Sequence, residues 1–457
     1  MFDENITKEE QQEYLAYHNI DDFFENLENG IRSLDDIALH IYQKKYILLC
    51  GGMLGFDKGL SQFLNLWNEK QDNLFLLSEV TAQYRRYTKE RIEFPHLCTP
   101  HLLAKEIILY EMPIPLIKEM TDLFDEKAYI QEAVLNMEEK YQRLGEGYAT
   151  AWSYYAYQYI LKLLKQLQPM RVILWNEFYA FHHIIKHLCM ELGIPVSYIE
   201  FGCLPGTICI EEKGQQGESL PARLPYRYKG ICSTKMEIDN ATTVLDYLQK
   251  TKLNRNIQPN ILLSKHLLTY YNAERKTLVY IGQNDYESGM YPYTRNTQKY
   301  HSPIFKTTLE ALKHLSLLSI NNEWNLIFKP HPNIVAVEKK KEWIHKVDII
   351  ENANINSIID FADVVITILS QSAYIALIRE KPVLMLGYSQ LKKKGCTYEA
   401  FQKSQIKKQI ICALRNGFTK KQRQHYKRHI AKLLKSYLYS DSIEKDLQIG
   451  RAMDKRY

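Results

Sequence analysis

The amino-acid sequence predicts a two-domain α/β fold in which short, buried parallel strands alternate with helices. Three observations carry this. Apolar strand patterns recur along the chain, and each is followed by a segment of helical period. The junctions are punctuated by Gly and Pro, as in Leu192-Gly-Ile-Pro195, where Gly closes a helix and Pro blocks its continuation. The length, 457 residues, exceeds what a single hydrophobic core ordinarily fills.

Residues 1–44 are acidic and helical in pattern, a helical N-terminal extension without the apolar stretch of a signal peptide. Residues 45–255 are read as the first Rossmann-like domain. Lys45–Cys50 is its opening strand, stopping at Gly51-Gly52, and Asn73–Ser78 is a second. Residues from about 100 to 168 are a helical insertion that includes the tyrosine-rich run Trp152–Tyr157. The sheet resumes at Arg171–Asn176, followed by a helix over Glu177–Leu192 and a strand over Val196–Gly202. Residues 203–219 read as loop, and residues 235–266 as helix and linker. The second domain, 256–410, holds strands at Thr277–Gly282, Asn325–Lys329, Asp363–Leu369 and Val383–Gly387, with a helix over Pro303–Ser319. Residues 411–457 are basic helices, and Lys420–Tyr439 has a single apolar face.

Composition narrows the function. The net charge is +6, but the segment from Ile411 onward carries twelve Lys and Arg against four Asp and Glu, so the rest is slightly acidic. A basic amphipathic terminus suits an anionic lipid surface, and no nucleic-acid-binding pattern accompanies it. The eight cysteines are scattered with no C-x-x-C pair, which suits a reducing compartment and speaks against a zinc site. No run of about 18 apolar residues is present. The expectation is a cytoplasmic protein whose basic terminus suits peripheral attachment to an anionic membrane surface.

Parallel α/β sheets bind ligands at the carboxyl ends of their strands, and polar clusters stand there. Lys329-Pro-His331-Pro332 follows one strand, and the two prolines stiffen a loop in which Lys329 and His331 both offer donors to a phosphate. Ser370-Gln371-Ser372 lies where a strand meets a helix, a place that serves equally for capping and for anion binding. Lys392, Lys393 and Lys394 read as a solvated face. Glu200 ends a first-domain strand and suits a general base or, on a retaining path, a carboxylate nucleophile, with Glu177 a competing candidate. His183 and His187 have the i, i+4 spacing of zinc hydrolases but lack the Glu of H-E-x-x-H, so His182, His183 and His187 read as structural. The Gly51-Gly52 turn lacks G-x-G-x-x-G and suits close approach to an acceptor.

Together these pieces resemble the bacterial capsule-polysaccharide synthesis transferases, the Kps/Lip-type family that includes Kdo transferases. The resemblance covers about Val172 to Thr397. It rests on Ile199-Glu-Phe-Gly202, Leu204-Pro205, Thr207-Ile208, Gly217, Ser219, Gln283, Asp285, Lys329-Pro-His-Pro332, Val365–Ser370, Ala376-Leu377, Lys381-Pro-Val383, Gly387 and Gly395-Cys-Thr397. It implies a GT-B-like architecture, two Rossmann-like domains facing an interdomain cleft, with an acceptor domain followed by a nucleotide-sugar donor domain. It implies Glu200 and His331 as catalytic residues, and Lys329, Ser370, Gln371, Ser372, Gln283 and Asp285 around the donor phosphate. Gly51, Gly52 and Gly202 would form the acceptor-side loops. The implied activity is transfer of a sugar from a nucleotide-activated, CMP-linked and Kdo-like donor to a glycan or glycolipid in capsule biosynthesis, without metal or cofactor. A CDP-polyol phosphotransferase of teichoic-acid type and a non-catalytic capsule-assembly scaffold are the alternatives. Where family members carry an acidic residue in the helix after the Ser element, this chain has Ile375.

Overall fold

The computed structural model describes residues 47–51, 74–78, 96–98, 122–140, 146–223, 231–254, 258–331 and 346–440, together with Arg32, Tyr228 and Gly230. Apart from Arg32, the expected N-terminal extension lies outside the described residues, as do Gly52 and the opening of the helical insertion. The chain divides into two compact units, the first ending at Glu200 and the second beginning at Phe201.

The first unit holds five strands: β1 (Ile47–Gly51), β2 (Leu74–Ser78), β3 (His96–Cys98), β4 (Arg171–Trp175) and β5 (Val196–Phe201), the last residue of β5 falling in the second unit. Their neighbour order is β5-β4-β1-β2-β3, all parallel. The chain starts in the middle, winds outward through β2 and β3, then returns to the other side of β1. This is the doubly wound order, with its switch point between β1 and β4. Val172–Trp175 are all buried, as a parallel strand covered on both faces requires. Helices α1 (Ala128–Lys140), α2 (Glu146–Leu167) and α3 (Ala180–Leu192) supply one core through Ile130, Val134, Trp152, Ile160, Ile184 and Leu188. Helix α3 starts later than the expected Glu177 because Asn176 adopts φ 57° and its side-chain oxygen accepts from Phe178 N at 3.0 Å. The helix ends at Gly193, φ 71°, with Ile194 N donating to Cys189 O at 2.8 Å, the Gly-capped stop that the sequence announces.

The second unit opens with a tight turn into β6 (Thr207–Glu211), then continues through α4 (Lys235–Thr251), β7 (Thr277–Ile281), α5 (Arg295–Tyr300), α6 (Thr308–Asn321) and β8 (Asn325–Lys329). After β9 (Asp348–Ile349) come α7 (Ile355–Phe361), β10 (Val364–Thr367), α8 (Ser372–Ile378), β11 (Val383–Met385) and β12 (Tyr398–Glu399). Its sheet runs β12-β11-β10-β7-β8-β9, every pair parallel. The order is again doubly wound, now with six strands and a switch point between β7 and β10. One face of the sheet buries Val279, Ile281 and Val365, the other Leu278, Tyr280 and Ile366, the alternation that a pleated strand imposes.

Residues 203–219 are not all loop. Thr207–Glu211 form β6, buried throughout and paired antiparallel with β13 (Leu438–Ser440). The pattern Thr-Ile-Cys-Ile has strand composition, but the surrounding Gly and Pro conceal it. The segment after Phe201, including α4, belongs by its contacts to the second unit, because α4 packs on the C-terminal helix. Helix α9 (Lys403–Asn416) is followed by α10 (Lys420–Ser436), the helix that packs on α4, and β13 takes over where the expected helix would have run on to Tyr439.

The apolar face of α10 is fully used. Tyr426, Ile430, Leu433 and Leu434 lie in the core of the second unit, so this helix has no apolar stripe left to insert among lipids. Among the described residues no helix is long and apolar enough to cross a membrane. Buried with that face is His429. Its Nδ1 lies 2.6 Å from Tyr228 Oη and its Nε2 3.0 Å from Tyr374 Oη, while Tyr228 Oη donates to the His429 carbonyl at 3.0 Å. A neutral ring with its proton on Nδ1 satisfies all three contacts. Burial, reinforced by the Lys394 and Lys432 charges, holds His429 well below the usual imidazole range.

With the folded pKa under the unfolded value of about 6.5, the unfolded chain takes the extra proton first, and stability is lost as pH falls below that value. Replacing His429 by Gln should therefore flatten the decline in melting temperature between about pH 6.5 and 5, where one such group contributes at most about 1.4 kcal/mol per pH unit. Identical slopes in the two proteins would remove His429 from the acid response.

Candidate functional site

The parallel register of β10, β7 and β8 brings their carboxyl ends side by side at the switch point of the second unit. Each end delivers one of the polar segments picked out in the sequence. β8 ends in Lys329, and the ladder continues one step beyond it, with Gly282 N donating to Lys329 O at 3.0 Å. A side chain at Gly282 would press on Thr308 and Phe328.

Lys329 is only 9% exposed. Its ammonium donates to the Pro330 carbonyl at 3.0 Å and has no further partner among the described residues. Burial pushes its pKa below the ordinary lysine value, against a weaker opposing pull from Glu351. A buried cation that no carboxylate neutralises is costly unless an anion joins it. His331, two residues on, is half-buried at the edge of the described residues.

After β10, Ser370 Oγ accepts from Ser372 N at 3.2 Å, one residue ahead of the α8 N-cap, Gln371, which has no side-chain cap. Accepting this bond consumes an oxygen lone pair and leaves the hydroxyl proton available. Ser372 opens α8 half-buried, and Gln371 Nε2 donates to Phe201 O at 3.3 Å.

Gln283 and Asp285, after β7, are tied inward. Asp285 Oδ2 accepts from Thr308 N at 2.8 Å, and Gln283 Nε2 donates to Thr308 Oγ1 at 2.6 Å and to Asp285 Oδ1 at 3.2 Å. Thr308 begins α6, so the carboxylate satisfies a free donor at that helix N-terminus. These residues fix the loop to the helix. Between them sits Asn284, 3% exposed, whose Nδ2 and Oδ1 are both buried without a partner. Sequence reasoning missed it, and its one signal is position, the second polar residue beyond a fully buried strand.

Elsewhere in the second unit, Lys392 Nζ lies 3.4 Å from the centre of the Tyr388 ring, and Lys394 Nζ donates to Pro221 O at 2.5 Å; only Lys393 is exposed as expected of a solvated face. Gly202 lies in the turn before β6, where a Cβ would come within 2.0 Å of Thr207 Oγ1. A Cβ at Gly217 would meet the Tyr300 carbonyl at 1.6 Å, and one at Gly387 the His301 carbonyl at 2.6 Å. These glycines permit close backbone packing.

In the first unit, Gly51 ends β1 and Glu200 closes that unit at β5, half-buried. Glu177 follows β4 beside that unit's switch point, but it is buried and ion-paired with Lys186. The histidines of α3 are structural in contact. His183 Nε2 is 3.0 Å from Glu132, and His187 stacks on Tyr129 with centroids 4.7 Å apart.

Fold and site thus define an α/β chain of two doubly wound units, the second with a mostly buried lysine at its switch-point edge that has no ion-pair partner among the described residues. Compared with known proteins, residues 293–429 match the family of capsule polysaccharide biosynthesis proteins. No curated protein matches the sequence significantly. Among solved structures, the chain is similar to the KpsC β-Kdo 2,7 transferase of Thermosulfurimonas dismutans at 20% identity and TM-score 0.40, over 62% of this chain and 81% of that one. It is similar to the β-Kdo 2,4 transferase of the same KpsC at 16% identity and TM-score 0.41, over 57% and 79%. A putative UDP-N-acetylglucosamine 2-epimerase from Listeria monocytogenes aligns at 13% identity and TM-score 0.37, over 84% and 90%.

Asp285→Ala should lower the melting temperature, at a cost of about 1–2 kcal/mol for a lost helix cap, whereas Ser372→Ala should leave it unchanged. Scanning fluorimetry of the two variants checks this, and an unaltered Asp285→Ala midpoint would take the cap role away.

Proposed function

We propose that the protein is a glycosyltransferase that moves a sugar from a nucleotide-activated donor, CMP-linked and Kdo-like, to a glycan acceptor of the capsule type. Lys329 is the observation that carries this reading. A lysine that is mostly buried, with ammonium donors to spare, at the carboxyl end of a strand next to a switch point, suits a phosphate as its counter-charge. The similarity of residues 293–429 to capsule biosynthesis proteins supports the same class of chemistry.

The chemistry follows from charge. As the glycosidic bond to the donor phosphate breaks, negative charge grows on the leaving oxygen. Lys329, His331 and the hydroxyls of Ser370 and Ser372 would stabilise it as preorganised donors. Glu200 is assigned the acceptor side, taking the proton from the attacking hydroxyl. Neither a metal nor a redox cofactor is part of the proposal. The enzyme is read as cytoplasmic, and any attraction to an anionic inner-membrane surface would rest on the cations of α10 alone.

Thermal-shift measurements with CMP, CDP and UDP test the donor class. CMP should raise the melting temperature most; a UDP preference would replace the Kdo-like donor with another sugar class, and a CDP preference would favour polyol-phosphate transfer. Lys329→Met should raise the midpoint of the free protein, because it removes an unpaired buried charge, and should abolish the CMP shift. A variant that keeps the shift would sink the phosphate role. His331→Ala should lower turnover at least about tenfold, a cautious figure for one lost donor, with its melting temperature unchanged.

A further inference from the structure

At the β7 carboxyl end, unused hydrogen-bonding groups of both kinds follow one another in the chain, and the paired strand β8 ends one ladder step away in Lys329. Asn284 has a buried carboxamide with neither Nδ2 nor Oδ1 engaged. In the neighbouring residue Gln283, Nε2 is spent on Thr308 and Asp285, while Oε1 is buried and accepts nothing. Across the ladder, the Lys329 ammonium hydrogen-bonds, among the described residues, to the Pro330 carbonyl alone. Proteins pair nearly all their buried polar groups, so adjacent exceptions call for a ligand that completes them.

The pattern specifies that ligand. Lys329 and Asn284 Nδ2 need acceptors, which phosphate oxygens supply. The two carbonyl oxygens, Asn284 Oδ1 and Gln283 Oε1, need donors, and the dianionic phosphate group of an ester has none to give. Hydroxyl groups supply them. We propose that Asn284, with the carbonyl of Gln283 beside it, is a hydroxyl-reading element that selects phosphate esters bearing a polyol over phosphate alone. The proposal rests on the anion role of Lys329 and adds the part of the ligand joined to that anion. Two sources carry this chemistry, the ribose of a nucleotide and an open-chain polyol phosphate.

Isothermal titration of the full-length protein separates the possibilities, with CMP, 2′,3′-dideoxycytidine monophosphate, glycerol 3-phosphate and inorganic phosphate as probes. Wild type should bind CMP or glycerol 3-phosphate at least about tenfold more tightly than its hydroxyl-free or bare-phosphate counterpart. Asn284→Leu should erase that preference without weakening inorganic phosphate, and its melting temperature should not fall, because the lost carboxamide had no protein partner. Asn284→Ala serves in the same role if leucine is not accommodated. Loss of the CMP preference assigns ribose as the source, and loss of the glycerol 3-phosphate preference assigns a polyol. Preferences that persist in both Asn284 variants overturn the proposal while leaving the Lys329 reading intact. Phosphate and esters that bind neither wild type nor variant overturn both. A lowered midpoint with unchanged ester affinity marks Asn284 as a packing residue and overturns the proposal alone.

Discussion

The hydrogen-bonded register between β7 and its two parallel neighbours is the constraint on which the second unit depends. Val279 lies opposite both Ile327 and Val365, and Tyr280 opposite Phe328 and Ile366. A slip of one residue would turn the apolar row Val279, Ile281 away from its own core and into the other. Register therefore cannot drift, and the three strand ends are fixed together. The ladder beyond the strands tightens this further, with Gly282 N bonded to Lys329 O at 3.0 Å and Leu386 N to Thr367 O at 2.9 Å. The segments leaving the three strands are then delivered to the same edge: Gln283–Asp285, Lys329 with His331, and Ser370–Ser372. A doubly wound sheet sends its connections to opposite sides at this point, so the edge between β7 and β10 is left for polar groups rather than for a crossing chain.

Much of this was legible in the sequence, for a physical reason. Parallel strands buried on both faces must be nearly continuous apolar runs, and Thr277–Ile281, Asn325–Lys329 and Val364–Thr367 are such runs, bounded by Gly, Pro and Ser. The groups that come after them were therefore placed correctly at strand ends. The inward commitment of Gln283 and Asp285 was not legible, because Thr308, their partner, is set beside them by tertiary packing alone. The unused carboxamide of Asn284 could not be read for the same reason, since being without a partner is a property of the folded surroundings. Strand β6 escaped because its partner, β13, lies more than 200 residues away. The basic helix α10 showed its amphipathic pattern plainly, but the pattern does not say whether a lipid surface or a protein core receives the apolar face.

That core is where the C-terminal helix meets the candidate site. Helix α8 has seven residues, too few to be stable on propensity and internal hydrogen bonds, so its position is imposed from outside. Its second residue is Ala373 and its third Tyr374, both buried. Tyr374 Oη meets His429 Nε2 at 3.0 Å, and Tyr426 Oη donates to the Tyr374 carbonyl at 3.3 Å, both partners belonging to α10. At the other end of the same turn, Gln371 reaches the Phe201 carbonyl. The serines that precede and open α8 are thus held by contacts to residues far along the chain in both directions. In the proposed reaction the two serines would be catalytic donors, and donors of this kind work only when they are fixed before charge develops, since reorganising them costs the free energy they are meant to supply. The His429 pair of tyrosine contacts is accordingly more than a core hydrogen-bond network. It gives the basic terminal helix a structural task in presenting Ser370 and Ser372, one that does not require a membrane.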